Sequence, residues 1–134
     1  MSTNEVEEGK AAEGKEGNDN EKRVDYIEIP VTDVGAAKRF YGEVFGWPFE
    51  DWGPSYASFH DGRLAGGFRQ VEVGETVRPG GPLVVIYAAD LPDMEARVQR
   101  AGGAVVKPTF EFPGGKRFHF TDPAGHELAV WSDR

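Results

Sequence analysis

Glu28 is a carboxylate inside an otherwise apolar run, Tyr26-Ile-Glu-Ile-Pro30. Burial disfavours the charged form of such a group and strengthens its hold on a proton, as a general base working near neutral pH requires. A salt bridge to Arg117 or to another nearby base is the competing role for the same carboxylate. His119 lies between Phe118 and Phe120, with Arg117 two residues earlier. A guanidinium and an imidazole so placed can hold a carboxylate or a phosphate through charge-assisted hydrogen bonds. Alone, His119 reads equally well as a hydrogen-bonded structural histidine. His60 and Glu127 add a second imidazole and a second carboxylate. Glu28, His60, His119 and Glu127 together have the donor types of a divalent-metal site. The alternative is a polar lining in which they pair with Arg69, Arg117 and the tyrosines. The chain has no cysteine, so thiolate ligands, thiol nucleophiles and disulfides are excluded.

The elements that would carry these side chains occur twice. Ile29-Pro-Val-Thr-Asp33-Val matches Ile86-Tyr-Ala-Ala-Asp90-Leu, and each Asp is followed thirteen residues later by a glycine, Gly46 or Gly103. Asp suits a helix N-cap and Gly a helix stop. Apolar residues at helical spacing lie between them: Ala37, Phe40, Tyr41 and Val44, then Leu91, Met94, Val98 and Ala101. A strand is expected before each helix, over 24–30 and 82–88, and another after each glycine, near 47–52 and 104–112. Tyr56-Ala-Ser-Phe-His-Asp-Gly62 then matches Arg117-Phe-His-Phe-Thr-Asp-Pro-Ala-Gly125, with Asp and Gly placed for a tight reversal. The pattern predicts an α+β domain of two tandem βαβββ modules, curved around a cavity. Module one covers about 24–70 and module two 82–132, joined by the polar, Gly- and Pro-rich linker 71–81.

Side chains alternate along a strand, so each strand offers two faces. One set is free of polar side chains: Ile27, Ile29, Ala57, Phe59, Ala65, Gly67, Val84, Ile86, Phe118, Phe120, Leu128 and Val130. It is expected to pack under the helices. The other set mixes aromatic, apolar and polar groups and is expected to line a ligand cleft. From it, Glu28 and His119 are the candidate catalytic residues. Tyr26, Tyr56, His60, Phe68, Tyr87, Arg117, Glu127 and Trp131 are the candidate ligand contacts. Trp47 and Trp52 follow the first helix; core packing is the default for both, with Trp52 placed to act as a lid. Gly66-Gly67 inside a strand suggests close approach by a ligand or another backbone.

The length of 134 residues fits one domain, 23–134, preceded by a tail. Residues 1–22 hold seven acids, three bases and no aromatic, so they are expected to be disordered. The net charge of −8 argues against nucleic acid and anionic membrane surfaces as partners. It leaves a small anionic or aromatic ligand compatible. No apolar run is long enough to span a bilayer, and no signal-peptide core precedes the domain. With the lack of cysteine, this fits the cytoplasm.

Val24-Asp-Tyr-Ile-Glu-Ile-Pro-Val-Thr-Asp33, Phe40-Tyr41 and Val44-Phe-Gly-Trp47 resemble the opening of vicinal oxygen chelate proteins. Phe120-Thr-Asp-Pro-Ala-Gly-His-Glu-Leu128 is similar to their closing hairpin. This is the glyoxalase, bleomycin-resistance and extradiol dioxygenase superfamily, and the resemblance covers about residues 24–132. It implies the two-module fold and a homodimer. In metal-using members it also implies His or Glu ligands at the first and last strands of each module. Carried over, those positions are Tyr26, Gly66, Leu83 and Ala129, so no cofactor is expected, with a shifted metal site as the alternative. Three functions follow. The first is a metal-independent small-molecule binder of bleomycin-resistance type. The second is a lyase or isomerase using Glu28, or His119 with Arg117. The third is a non-catalytic interaction module.

Overall fold

The computed structural model describes residues 21–72 and 81–134. The expected acidic tail, apart from its last two residues, and most of the linker lie outside the described residues. The elements run β1 Tyr26–Val31, α1 Val34–Phe45, β2 Phe49–Asp51, β3 Tyr56–His60 and β4 Ala65–Gln70. They repeat as β5 Val84–Tyr87, α2 Leu91–Arg100, β6 Ala104–Phe112, β7 Gly115–Thr121 and β8 Glu127–Ser132. Each module forms a four-stranded sheet, in the orders β1-β4-β3-β2 and β5-β8-β7-β6. In each sheet the first and last strands of the module pair in parallel and the other pairs are antiparallel. The repeat legible in the residues is thus a repeat of topology.

The helix ends are where the caps put them. Asp33 is extended and its side chain accepts a hydrogen bond from the Ala36 amide at 3.0 Å. Gly46 closes α1 in the left-handed conformation, φ 74°, with its amide donating to the Gly42 carbonyl. Asp90 caps α2 in the same way through the Asp93 amide. The second stop differs from expectation. Ala101 is the cap and Gly102 takes the positive φ, 99°. Gly103 serves a different purpose, because a Cβ there would meet the Thr121 carbonyl oxygen at 2.8 Å and the Phe40 ring at 3.0 Å. It lets the chain after α2 pass close to both modules.

One core joins the modules. The helices lie against the same side of both sheets, and Phe40, Tyr41, Phe68, Phe118 and Phe120 are all buried there. Phe120 of β7 meets Phe40 and Phe45 of α1, with ring centroids 6.0 and 6.2 Å apart. Trp47 stacks on Tyr41 and Phe59 in this core, as expected of it. A buried polar lock crosses the same boundary. The Tyr41 hydroxyl donates to Asp122 Oδ2 at 2.8 Å, while Asp122 Oδ1 accepts from the amides of Ala124 and His126. The His126 ring in turn bonds the Pro30 carbonyl at the end of β1. Among the described residues, no helix is long and apolar enough to cross a membrane.

Candidate functional site

Because the helix side of each sheet is committed to the core, function falls to the opposite faces. Pairing register decides which residues share them, since directly opposed residues point the same way. In sheet one, Glu28 opposes Gly67, which opposes Ser58. The flanking rows are Tyr26–Ala65–His60 and Pro30–Arg69–Tyr56. The open face of sheet one therefore presents Tyr26, Glu28, Tyr56, Ser58, His60, Ala65, Gly67 and Arg69.

This corrects the parity expected for β4. Phe68 was expected to line the ligand cleft, but it lies on the helix side, fully buried, with its ring 5.1 Å from Tyr41 and 5.2 Å from Phe59. Ala65 and Gly67 take the open side instead. A Cβ on Gly66 would strike Phe59 and the Ile27 carbonyl, whereas one on Gly67 would strike the hydroxyls of Tyr56 and Tyr26. Close backbone approach was expected of these glycines. It serves the Phe59 ring on one side and two phenols on the other.

Over Gly67 the two phenols meet, with 2.6 Å between their oxygens. Tyr56 donates to Glu28 Oε1 at 3.0 Å, and Arg69 Nε donates to Glu28 Oε2 at 2.9 Å. A phenol has one proton to give. With that of Tyr56 on Glu28, Tyr26 donates to Tyr56 and keeps its own oxygen free to accept. Burial, the Tyr26 contact and the Glu28 charge push the Tyr56 phenol far above its ordinary value. Burial and the Glu28 charge also raise Tyr26, opposed by its bond to Tyr56. Both stay protonated at neutral pH. Glu28 is not the desolvated carboxylate the sequence suggested. Its side chain is 43% exposed, and it pairs with Arg69 and Tyr56, as the polar-lining alternative expected, and not with Arg117. A surface ion pair of this kind contributes roughly 0–1 kcal/mol. Trp52 stands exposed at the margin, its indole N–H donating to Ser58 Oγ at 3.0 Å. His60 sits at the turn, where its Nδ1 accepts from the Gly62 amide.

On sheet two one register row crosses all four strands: Phe110, Arg117, Trp131 and Tyr87. The Arg117 guanidinium lies 5.4 Å from the ring centres of both Phe110 and Phe112. Trp131 meets Phe112 at 6.3 Å and Tyr87 at 5.2 Å, edge to face. Tyr87 donates to Asp133, a bond that raises its phenol and fixes the end of the row. The neighbouring row is Lys107, His119, Ala129 and Val85. His119 is buried, and its Nδ1 bonds Glu127 Oε2 at 2.8 Å. The sequence placed Phe110 and Phe112 only within a strand. The antiparallel register to Arg117 is the signal that would have put them in this face.

The candidate residues thus fall into two groups. Tyr26, Glu28 and Tyr56 converge on one sheet. Tyr87, Arg117 and Trp131, with His119 and Glu127 beside them, gather on the other. Among the described residues no hydrogen bond, ion pair or ring contact joins the groups, and no three His, Cys, Asp or Glu residues there come together as metal donors. Glu28 and His60 lie on sheet one and His119 and Glu127 on sheet two. With β4 turned over, the four positions implied by the resemblance become Tyr26, Gly67, Leu83 and Ala129. They offer one phenol, already bonded to Tyr56, and no imidazole or carboxylate. That donor set does not fit a divalent cation. A pocket of about 40 Å³ lined by Thr32, Asp33, Ala36, Ala37, Asp122, Pro123 and Ala124 includes no residue of either group.

Residues 23–130 match the model of the Glyoxalase/Bleomycin resistance protein/Dioxygenase superfamily. The chain belongs to that family. CFP32 of Mycobacterium tuberculosis is 28% identical over 131 residues, covering 91% of this chain and 48% of the relative. The anthracycline biosynthesis protein DnrV of Streptomyces peucetius is 32% identical over 124 residues, covering 79% of this chain and 45% of the relative. The chain spans about half the length of the curated relatives it matches. A glyoxalase-related enzyme from Fulvimarina pelagi superposes with a TM-score of 0.69 at 26% identity, covering 83% of this chain and 88% of that one. A family enzyme from Burkholderia phytofirmans PsJN superposes at 0.73 with 17% identity, covering 83% of this chain and all of that one, and speaks to the fold alone.

Proposed function

We propose that the protein binds a small, flat molecule on its open sheet faces and does so without a bound metal. The observation that carries this reading is the ordered chain Tyr26–Tyr56–Glu28–Arg69 over Gly67. It is a polar array with a free phenol acceptor, and it includes Tyr26 and overlies Gly67, two of the four positions the resemblance implies for metal donors. Tyr56 and both carboxylate oxygens of Glu28 are engaged within the array, and Arg69 holds it through Nε, which suits recognition by a fixed surface. The name of the relative DnrV, from a biosynthetic route to small molecules, agrees with this reading.

The binding unit is a homodimer. Tyr26, Val85 and Tyr87 keep 41, 42 and 47% of their surface exposed, so neither face is roofed within one chain. The relatives are about twice as long as this chain, a length that would accommodate two such domains. A second reading, a lyase or isomerase, draws on the same array. The relay Tyr26 to Tyr56 to Glu28 could accept a proton from a substrate held at Tyr26.

The test is metal analysis and sedimentation on protein purified without chelator, followed by thermal shifts with a panel of flat aromatic compounds. The expected result is a dimer at micromolar concentration, metal well below one per chain, and stabilisation by a ligand that weakens in Glu28→Gln. A stoichiometric metal whose removal abolishes binding would overturn the metal-free reading. A monomer at all concentrations would remove the dimer.

A further inference from the structure

Arg117 is half-buried, and its Nε is sealed from solvent without a hydrogen-bond partner. The chain carries 23 acids against 15 bases, yet no carboxylate pairs with Arg117 among the described residues. Its nearest partners are the faces of Phe110 and Phe112. Ring faces attract a guanidinium but supply no acceptor in its plane. The outer N–H groups are left to bond something outside the chain.

The neighbours define what that something looks like. Cross-strand neighbours are about 4.8 Å apart, so Trp131 and Tyr87 extend a further two steps, about 10 Å, from Arg117 along the same row. This is the length of two fused aromatic rings. Lys107 lies on the opposite side, with its ammonium 5.6 Å from the Phe110 ring. One fork-shaped cation therefore stands between the Phe110 and Phe112 rings on one side and the edge-to-face pair of Trp131 and Tyr87 on the other. A planar guanidinium matches the two oxygens of a carboxylate, whereas a more highly charged group would call for several converging donors.

We propose that Arg117 anchors the carboxylate of a flat aromatic acid whose rings lie along Trp131 and Tyr87. The proposal rests on the small-molecule reading of the open faces and names the ligand class for the second of them. It is tested on the full chain by calorimetric titration with naphthoate and with naphthamide, its uncharged counterpart of the same shape. The expected result is naphthoate binding about tenfold or more tighter than naphthamide, the size of one charge-assisted hydrogen bond. The preference should vanish in Arg117→Met and fall severalfold in Arg117→Lys, which keeps the charge and loses the fork. The Lys variant retains a long stem between the two rings and serves where Met perturbs folding. Equal affinity for both probes, weakened in Trp131→Leu, would overturn the anion anchor and leave the small-molecule reading standing. An unchanged preference in Arg117→Met or in Arg117→Lys would overturn the assignment to Arg117. Binding of neither probe would overturn the anchor, while the thermal-shift panel still decides the broader reading.

Discussion

Two adjacent glycines should respond very unequally to the same methyl group. In Gly66→Ala the new Cβ points to the helix side. It would stand 2.5 Å from the Ile27 carbonyl oxygen and 2.9 Å from a carbon of the Phe59 ring. The carbonyl belongs to the strand paired with β4, and the ring is held by Trp47 at 4.6 Å and Phe68 at 5.2 Å. Neither can retreat without disturbing the sheet or the core, so overpacking of about 1–3 kcal/mol applies, toward its upper end. In Gly67→Ala the Cβ points outward and meets only the hydroxyl ends of Tyr26 and Tyr56. Those rings can swing toward solvent. The change gives up two phenol hydrogen bonds, each about 0.5–1.5 kcal/mol at most and less where water replaces them. Alanine in a strand returns about 0.5–1 kcal/mol relative to glycine. The net effect on stability should stay below about 1 kcal/mol. Denaturant unfolding followed by tryptophan fluorescence gives the two values. A phenolate absorbance titration gives the second readout, because Tyr26 and Tyr56 in Gly67→Ala should titrate nearer their ordinary value. If Gly67→Ala costs more than Gly66→Ala, the two sides of β4 have been exchanged and the phenol array does not exist as described.

Two further outcomes follow from the core. Phe120→Ala removes a fully buried ring that touches α1 across the module boundary and should cost about 3–5 kcal/mol in the same unfolding assay; a loss under about 1 kcal/mol would contradict a shared core. Tyr41 is fully buried, and burial with the adjacent Asp122 charge raises its phenol well above 10.0. The folded protein then keeps a proton that the unfolded chain releases near pH 10, so this contribution is complete below that pH. It is lost as pH rises through the folded-state value, at up to about 1.4 kcal/mol per pH unit. Tyr41→Phe should cost about 1–3 kcal/mol near neutrality by taking a partner from buried Asp122. It should also flatten the decline above about pH 10; equal slopes in the two proteins would refute the role given to Tyr41.

The elements were legible because their signals are local. Asp33 and Asp90 cap helices whose apolar faces recur at helical spacing, and Gly46 stops the first of them. The repeat then fixed the topology, since two copies of one pattern must fold alike. Contacts between distant segments carried no such mark. Tyr41 and Asp122 are 81 residues apart, and nothing in either neighbourhood announces the bond that locks the modules together. The candidate site was half legible for a related reason. Tyr26, Glu28 and Tyr56 were expected on one face and lie there. Which base would meet Glu28 depended on the pairing of β1 with β4, and that pairing puts Arg69 beside it instead of Arg117.

Strand β4 shows how much depends on a single residue of register. Its sequence Ala65-Gly-Gly-Phe-Arg-Gln70 has two glycines at its centre, so alternation there offers no contrast between faces. Phe68 with Tyr26 and Tyr56 reads as an aromatic cleft, and Arg69 then falls to the helix side. The hairpin decides otherwise. Residues 61–64 close the turn, with the Asp61 side chain accepting from the amides of Arg63 and Leu64. His60 therefore opposes Ala65, and Phe59 opposes Gly66. Phe59 is a core residue, so Gly66 and Phe68 must be core residues too. The same step carries Arg69 to the open face, within reach of Glu28, and leaves Gly67 as the bare floor on which two phenols can meet. Had the turn been one residue longer, the charge of Arg69 would have entered the core and the ring of Phe68 would have left it. Burial of an unpaired guanidinium costs several kcal/mol, so that register is closed to this sequence. The turn that excludes it also builds the site.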